Sequence, residues 1–92
     1  MAPLSDSEID DRLAEGAWRR DGDAIVRDIE CDGFTSAMAL ANRVADAANA
    51  ANHHPDILIH GYKHVRLTLS THSDGGITDN DVALAKTIDG LT

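Results

Sequence analysis

The apolar positions between residues 34 and 51 recur at intervals of three and four, which is the spacing of one face of an α-helix. Thr35 is expected to cap the start of this helix. Pro55 cannot continue a helix and disfavours helical geometry at His54, so the helix is expected to end by about Asn52. Its apolar positions are Phe34, Ala37, Met38, Ala41, Val44, Ala45 and Ala48.

This long helix is apolar over more than half of its circumference, because Leu40, Ala47 and Ala51 lie beside the main stripe. A helix of this kind packs on two sides. A sheet can cover one side, and two interpretations remain for the other. Either the helix is well buried within a monomer, or a second subunit covers it. A chain of 92 residues favours the second, because it can wrap little around one helix.

Two shorter helices are indicated by capping boxes. In this motif a serine or threonine side chain bonds the amide three residues on, and the acidic side chain at that position bonds back. The first helix is expected to begin at about Asp6 and to stop near Gly16, and the last helix is expected to end at Gly90. The two boxes are Ser5 with Glu8 and Thr78 with Asp81.

Two β-hairpins are expected, one before and one after the long helix. In the first, Asp21-Gly22 favours a tight turn that leads into a strand over residues 24–30, because both residue types tolerate positive φ. In the second, strands over residues 57–60 and 63–72 are joined around Gly61. The last strand alternates apolar and polar side chains, as a half-buried strand does, and its apolar positions are Val65, Leu67 and Leu69.

These elements follow the order α-β-β-α-β-β-α. No strand–helix–strand connection in the chain is of a kind that requires a parallel sheet. We therefore predict an α+β fold in which a four-stranded antiparallel sheet has helices packed on one face. Residues 1–92 are expected to form a single domain.

Charge and composition exclude several classes of partner. The chain has 16 acidic and 8 basic residues, and its net charge of −8 would repel nucleic-acid phosphates and anionic membranes. No apolar stretch approaches the ~18 to 20 residues of a membrane span. We therefore expect no nucleic-acid partner and no membrane partner. The start of the chain lacks the basic and apolar regions of a secretory signal, so we expect a cytoplasmic location. Cys31, the one cysteine, cannot form an intramolecular disulfide.

Histidine is the residue type in this chain that most readily exchanges protons near neutral pH. His53 and His54 follow the end of the long helix, and His72 lies at the far end of the strand next to theirs. Antiparallel pairing through Gly61 brings that end towards Pro55, so the three imidazoles are expected to converge, with His72 on the polar face of its strand. Histidines at helix and strand ends are also common as surface residues that only satisfy carbonyl groups.

A metal site is a competing interpretation, because imidazole is also the commonest transition-metal ligand. The spacing argues against it. The neighbouring side chains of His53 and His54 tend to point in different directions, and neither a His-x-His pair nor a His-Glu-x-x-His helix occurs among these positions. We therefore predict no metal site. His60 and His64 flank the second hairpin turn and are expected to be surface residues.

The run Asn52-His53-His54-Pro55-Asp56, followed by Tyr62, His72 and Asp81, resembles the signature of the pterin-4a-carbinolamine dehydratases. Further segments are similar to that family, so the likeness covers most of residues 16–90. They are Gly16 with Trp18, the Asp-Gly-Asp-Ala turn at 21–24, Ser70-Thr71-His72, and Gly75-Gly76-Ile77-Thr78.

The resemblance implies that the chain removes water from a 4a-hydroxytetrahydropterin and yields a quinonoid dihydropterin, a step of tetrahydropterin recycling. It implies acid/base catalysis by His53, His54 and His72, with no metal and no organic cofactor. In this interpretation His54 and His72 transfer the protons, while His53 holds the substrate or assists as an acid.

The same resemblance implies substrate contacts from Trp18, Asn52, Pro55 and Asp81. Two of these residues also have a simpler explanation. Trp18 can fill the core as a large apolar body, although its indole also suits a pocket wall that stacks on a flat heterocycle. Asp81 can serve only as a helix cap. The other two aromatic residues of the chain are expected to be packing residues.

The sequence departs from the family pattern at three positions. Many members have acidic residues where this chain has Asn49 and Asn52, and an aromatic residue is common where it has Ile57. Those carboxylates could orient or polarise the imidazoles, so the strength of catalysis depends on how they are replaced.

Relatives of this family also act as dimerisation partners of a transcription factor, which implies an alternative function as a non-catalytic interaction module. In either case we expect a homodimer or homotetramer that forms through the long helix and a sheet edge. A module of this kind would tolerate substitution of the three histidines, but it would lose its partner when a bulky charge replaces Ala41 or Ala48.

Overall fold

The structure, a computed structural model, describes residues 2–14 and 16–92. It contains three α-helices, four β-strands and one 3₁₀ turn. No helix in the described ranges has both the length and the apolar character needed to cross a membrane. The elements are α1 (Asp6–Leu13), β1 (Arg19–Asp21), β2 (Ala24–Glu30), α2 (Phe34–Ala51), β3 (Asp56–His60), β4 (His64–Leu69), the 3₁₀ turn (His72–Asp74) and α3 (Asp79–Asp89).

The four strands form one antiparallel sheet in the order β1-β2-β4-β3. β4 therefore lies between β2 and β3, and β1 and β3 are the edges. Ile25 pairs with Leu69 across β2 and β4, and alternate residues along each strand share its face. This inner face packs against the helices and forms the core, so the predicted α+β fold is confirmed. The opposite, outer face carries Thr68, Arg66 and Asp28.

Both predicted capping boxes are present. The Ser5 hydroxyl accepts from the Glu8 amide at 3.3 Å, and the Glu8 carboxylate accepts from the Ser5 amide at 3.0 Å. Thr78 and Asp81 form the second box at the start of α3, and Gly90 is the C-cap of that helix. Each box satisfies amides at the helix start that have no partner within the helix.

Two helix boundaries differ from the prediction. α1 ends at Leu13 rather than near Gly16, because the Gly16 amide bonds the Leu13 carbonyl at 3.1 Å in a tighter turn. α2 has Gly33 as its N-cap, so the prediction of Thr35 as the cap is wrong. The Gly33 carbonyl already accepts the first helical bond, from the Ala37 amide at 3.0 Å, and Thr35 lies within the first turn.

The last strand is shorter than predicted. β4 ends at Leu69, and His72 lies in the 3₁₀ turn instead of in the strand. The reason is that Thr71 forms an isolated bridge with Gly76, which closes a loop and draws the chain away from the sheet. The prediction that the strand extends to His72, on its polar face, is therefore wrong.

The apolar surface of α2 divides into two stripes. The core stripe, formed by Ala37, Leu40, Val44 and Ala48, is buried against the inner face of the sheet. Met38 is 42% exposed and Phe34 is 56% exposed. Together with the partly buried Ala41 and Ala45, these two residues form a second stripe at helical spacing, which we call the outer stripe.

The expectation that the two remaining aromatic residues pack against other side chains is wrong for this chain by itself. Phe34 lies in the outer stripe. Tyr62 is 62% exposed at the tip of the β3–β4 hairpin, where its φ of 56° lies in the left-handed region. Only Trp18 among the aromatic residues is buried.

Candidate active site

The chain reversal after α2 gives the two neighbouring histidines different surroundings. Asn52 is the C-cap of the helix with a left-handed backbone, φ 50°, and its amide bonds carbonyl groups of the last turn. The chain reverses there, and Pro55 then leads into β3. His53 and His54 lie within this reversal, and their side chains have different surroundings.

His53 contacts a buried carboxylate. Its Nε2 lies 2.5 Å from Oδ1 of Asp81, and the two side chains are 14% and 0% exposed. A carboxylate only accepts hydrogen bonds, so His53 is the donor. Oδ2 of Asp81 accepts from the Thr71 hydroxyl at 2.8 Å and from the Thr78 amide at 2.9 Å. The Thr78 hydroxyl lies 2.9 Å from that of Thr71. We call these four residues the buried network.

The buried network joins three parts of the chain: the turn after α2, the loop after β4 and the start of α3. Both carboxylate oxygens of Asp81 and both threonine hydroxyls have partners, which is the condition under which buried polar groups stabilise a fold. Thr71 directly precedes His72, so the network also fixes the root of the 3₁₀ turn that carries this histidine.

His54 has the opposite environment. Its side chain is exposed, and its Nε2 lies 3.1 Å from Oδ1 of Asn49, one turn back on α2. His54 lines a cavity of about 230 Å³ on the outer face of the sheet. His72 lines the same cavity, together with Asp23, Ala24, Asp56, Thr68 and Ser70.

The sheet register builds this cavity. Thr68 on β4 pairs with Asp56 at the start of β3 on one side and with Val26 of β2 on the other. Asp23 lies in the two-residue turn between β1 and β2, where Gly22 supplies the positive φ of 61° that the turn requires. The Ser70 hydroxyl donates to the Asp23 carbonyl at 3.0 Å and ties this turn to the end of β4.

The structure brings together two of the predicted catalytic residues, His54 and His72, at one cavity. The third, His53, turns towards Asp81, which is itself fully buried. Asn52 is the exposed helix cap. The lining of the cavity does not include His53, Asn52, Asp81 or the half-buried Pro55.

Trp18 does not form a wall of this cavity. It is 5% exposed in the core, and its indole Nε1 donates to Oδ1 of Asp89 at 2.8 Å. Trp18 is therefore placed as a core residue, and it does not supply the expected stacking surface to the cavity lining. Its polar tip has the partner that a buried indole usually requires.

Sequence reasoning assigned no role to several lining residues. Asp23 and Ala24 belong to the Asp-Gly-Asp-Ala turn, and Ser70 belongs to the Ser-Thr-His run. Asp56 follows the two histidines and Pro55 directly. All of these segments carried the family resemblance, and that resemblance could have identified them. The sequence alone did not show that they share one face of the sheet.

The acidic side chains at and near the cavity differ in whether they have a cationic partner. On the same outer face, the Arg66 and Arg19 guanidinium groups each donate a hydrogen bond of 2.7 Å to Asp28, and they hold the pKa of its carboxyl below the ordinary value. Asp23 and Asp56 have no such hydrogen bond or ion pair with any residue in the described ranges. The cavity therefore offers acceptors to a ligand that carries N–H donors or positive charge.

Within residues 2–14 and 16–92, no group of three or more His, Cys, Asp and Glu side chains is arranged to hold a metal ion. What the cavity does present is two imidazoles, two hydroxyl groups and two carboxylates. Imidazoles beside acceptor groups can move protons on a bound polar ligand.

Comparison with known proteins relates this site to a family. The model of the Pterin 4 alpha carbinolamine dehydratase family matches residues 2–91. A protein of Thermomicrobium roseum with the provisional name pterin-4-alpha-carbinolamine dehydratase is 51% identical over 87 residues, which are 94% of this chain and 92% of the relative.

Two solved structures share the fold. A crystal structure from Brucella melitensis, described as a transcriptional coactivator/pterin dehydratase, has a TM-score of 0.89 and 29% identity, and the match covers 97% of each chain. A pterin dehydratase-like protein identified as a RuBisCO assembly factor in the alpha-carboxysome has a TM-score of 0.68 at 21% identity. That match covers 84% of this chain and 90% of the other, and it shows the fold alone. Because the family model spans nearly the whole sequence, this chain belongs to the pterin 4 alpha carbinolamine dehydratase family.

Proposed function

We propose that this protein removes water from a 4a-hydroxytetrahydropterin by acid/base catalysis and that His54 and His72 transfer the protons. Membership of the family supports the class of reaction. The observation that carries the residue assignment is that these two imidazoles, from different segments of the chain, line one polar cavity.

The reaction needs two proton transfers and no redox step. The bond between C4a and the hydroxyl oxygen breaks, and the oxygen leaves as water after it takes a proton from an acid. N5 gives its proton to a base, and a double bond forms between N5 and C4a. A positioned imidazole contributes typically about 10²- to 10⁴-fold to such a step, and no metal or organic cofactor is required.

His54 is assigned as the base. The contact between its Nε2 and the amide oxygen of Asn49 makes Nε2 the protonated nitrogen, because a carbonyl oxygen accepts and does not donate. In the neutral ring Nδ1 then carries the lone pair that can accept the N5 proton. His72, on the 3₁₀ turn at the same cavity, is assigned as the acid that protonates the leaving hydroxyl.

His53 is assigned a positioning role instead of a proton-transfer role. Its Nε2 is engaged by Asp81, and it does not line the cavity. We propose that the buried network holds the turn that aims His54 and the turn that carries His72. In the same way, Trp18, Asn52 and Pro55 are proposed to shape the site from behind its lining.

The test is turnover of freshly generated 4a-hydroxytetrahydropterin by the purified protein. We expect His54→Ala and His72→Ala each to lower the dehydration rate at least about 100-fold. His60→Ala and His64→Ala serve as controls, because these rings stack on each other at the hairpin tip, with centroids 5.4 Å apart, and do not line the cavity. Chelator is expected to leave the rate unchanged. Wild-type turnover in both His54→Ala and His72→Ala would refute the assignment.

We further propose that the chain forms a homo-oligomer through the outer stripe of α2 and the edge strand β3. Met38 and Phe34 are exposed in the outer stripe, and Leu58 and Ile57 on β3 are 51% and 37% exposed. Large apolar side chains grouped on a helix and an unpaired sheet edge are typical of contact surfaces between subunits.

The same exposed surface favours a second candidate function, a non-catalytic interaction module. Ala48 is unsuitable for testing it, because this residue is 1% exposed in the core and a charge there would unfold the chain. Met38→Glu tests the outer stripe instead. If the protein is an enzyme, His54→Ala removes turnover and leaves the assembly intact. If it is a module, Met38→Glu removes partner binding and His54→Ala leaves it unchanged.

A further inference from the structure

The cavity has two sides, separated by one strand. β4 lies between β2 and β3, so groups attached to the β2 side and to the β3 side are about 10 Å apart, or two strand spacings. His54 and Asp56 lie on the β3 side, at the start of that strand. Asp23 lies on the β2 side, in the turn that precedes β2. Thr68 and Ser70 line the cavity between them.

Asp23 is a free acceptor held in a fixed place. Its carboxylate has no hydrogen bond or ion pair within the described part of the chain, while its main-chain carbonyl is held by the Ser70 hydroxyl. The nearby Arg20 guanidinium is attracted by the Asp23 charge but makes its hydrogen bonds to other groups: its Nη1 lies 2.6 Å from Oδ1 of Asp6, and its Nε donates to the Gly22 carbonyl at 3.0 Å. The Asp23 carboxylate is therefore available to a ligand.

A pterin presents complementary chemistry at the end remote from its reacting atoms. Its 2-amino group and N3–H are adjacent donors on one edge of the pyrimidinone ring, and a carboxylate can accept from both at once in the way that it binds a guanidinium fork. C4a and N5 lie across the bicycle. A flat two-ring molecule with a hydrogen bond at each end spans about the width between the β2 and β3 sides.

We propose that Asp23 is the residue that recognises the 2-amino-4-oxopyrimidine edge of the substrate and so directs C4a and N5 towards His54. This inference rests on the proposed dehydratase function. It assigns recognition to the turn between β1 and β2, and the chemistry to His54 on the β3 side and His72 on the turn after β4. It also gives the chain a substrate carboxylate although Asn49 and Asn52 replace acidic residues common in the family.

The competing explanation is that Asp23 serves only the hairpin turn. Aspartate and asparagine suit turns equally, for the same backbone reasons. Asp23→Asn therefore keeps the turn and removes the charge. Asp32→Asn is the matched control, because Asp32 is exposed beyond the opposite end of β2 and is not a cavity residue.

The experiment measures kcat and KM for dehydration, and the affinity for a stable dihydropterin, in the wild type and both variants. We expect Asp23→Asn to raise KM and weaken dihydropterin binding about 10- to 100-fold, the effect of losing a charge-assisted hydrogen bond, with kcat changed less than about threefold. Asp32→Asn should match the wild type. A pterin without the 2-amino group should bind the wild type more weakly than the parent pterin, and it should lose less affinity in Asp23→Asn, because only its N3–H donor remains to contact the carboxylate.

The outcomes separate the two proposals. If the wild type is active and Asp23→Asn has the KM and the dihydropterin affinity of Asp32→Asn, the recognition role is wrong and the dehydratase function stands. A fall in kcat with unchanged KM also overturns recognition. If the wild type neither dehydrates the carbinolamine nor binds dihydropterin, the proposed function fails and this inference fails with it.

Discussion

The two neighbouring histidines after α2 have nearly opposite surroundings. His53 donates to a fully buried carboxylate and shares it with two threonines, whereas His54 is exposed beside a polar cavity and contacts the side-chain amide of Asn49. An imidazole that bonds a buried carboxylate holds the backbone around it in place. An imidazole that is open to a ligand can exchange protons with that ligand. Two identical neighbours in the sequence therefore have different surroundings, set by the backbone between Asn52 and Pro55, and we propose different roles for them.

The largest effect is expected on the open side of this comparison. His54→Ala should lower the dehydration rate about 10²- to 10⁴-fold, or about 3 to 5 kcal/mol of transition-state stabilisation, because the proposed base is lost. Its free energy of unfolding should change by no more than about 0.5 kcal/mol, because the side chain is exposed. Turnover and urea denaturation measure the two quantities. A large loss of stability in His54→Ala would contradict the distinction between the two histidines.

On the buried side, Asp81→Ala should lower the free energy of unfolding by about 3 to 5 kcal/mol, because it leaves buried hydrogen-bond donors without an acceptor. They are the Thr71 hydroxyl, the Thr78 amide and the His53 ring.

Asp56→Ala is the matched control for this prediction, since it removes an exposed carboxylate that has no partner in the described chain. It should change stability by about 0.5 kcal/mol or less. Thermal and urea denaturation of both variants give the answer. Equal stability of Asp81→Ala and Asp56→Ala would mean that the buried network does not hold the site.

Much of the fold could be predicted because its signals are local. The boxes at Ser5 and Thr78 lie within single turns, and both were confirmed. The alternation through Val65 and Leu67 reports one strand and its buried face, and the stripe of α2 reports one helix. Each of these patterns depends on residues within a few positions of one another, so the sequence contains the whole argument.

The candidate site was less predictable because its geometry is set by distant contacts. The bridge between Thr71 and Gly76 places His72 outside β4, and the His53 ring points inwards and contacts Asp81. Trp18 lies in the core, where its indole bonds Asp89 at the far end of the chain. Asp81 and Asp89 lie far along the chain from the residues that they hold, and the bridge after β4, although local, has no signal in the alternation of apolar and polar residues. Convergence of the histidines could therefore be expected, but the exact set of residues at the cavity could not.

A smaller effect is expected from giving His54 a charged partner. Asn49→Asp replaces the amide oxygen at 3.1 Å by a carboxylate, which favours the protonated imidazole more strongly. The acid limb of the pH–rate profile should move to higher pH, because the proposed base must lose its proton before it can act. Asn42→Asp, on an exposed turn earlier in α2, is the control and should leave the profile in place. An unchanged profile in Asn49→Asp would mean that His54 is not the base.

The smallest effect concerns Asp28, the acid on the outer face that is paired with two arginines. Asp23 and Asp56 at the cavity have no such ion pair within the described residues. Arg66 and Arg19 lower the pKa of Asp28, so its contribution to stability is present above the unfolded pKa of about 4 and is lost as pH falls through the lower folded pKa. The Asp28 side chain is 44% exposed, which limits that contribution to less than about 1 kcal/mol.

Asp28→Asn should therefore lower stability slightly at neutral pH and converge with the wild type below about pH 4, and high salt should reduce the difference. Asp56→Asn, which removes an acid without an ion pair, should follow the wild-type curve throughout. Urea denaturation at a series of pH values measures both. If Asp56→Asn lost stability in the same pH range as Asp28→Asn, the Asp56 carboxylate would be paired within the protein and would not be free for a ligand, so the contrast between the two acids fails.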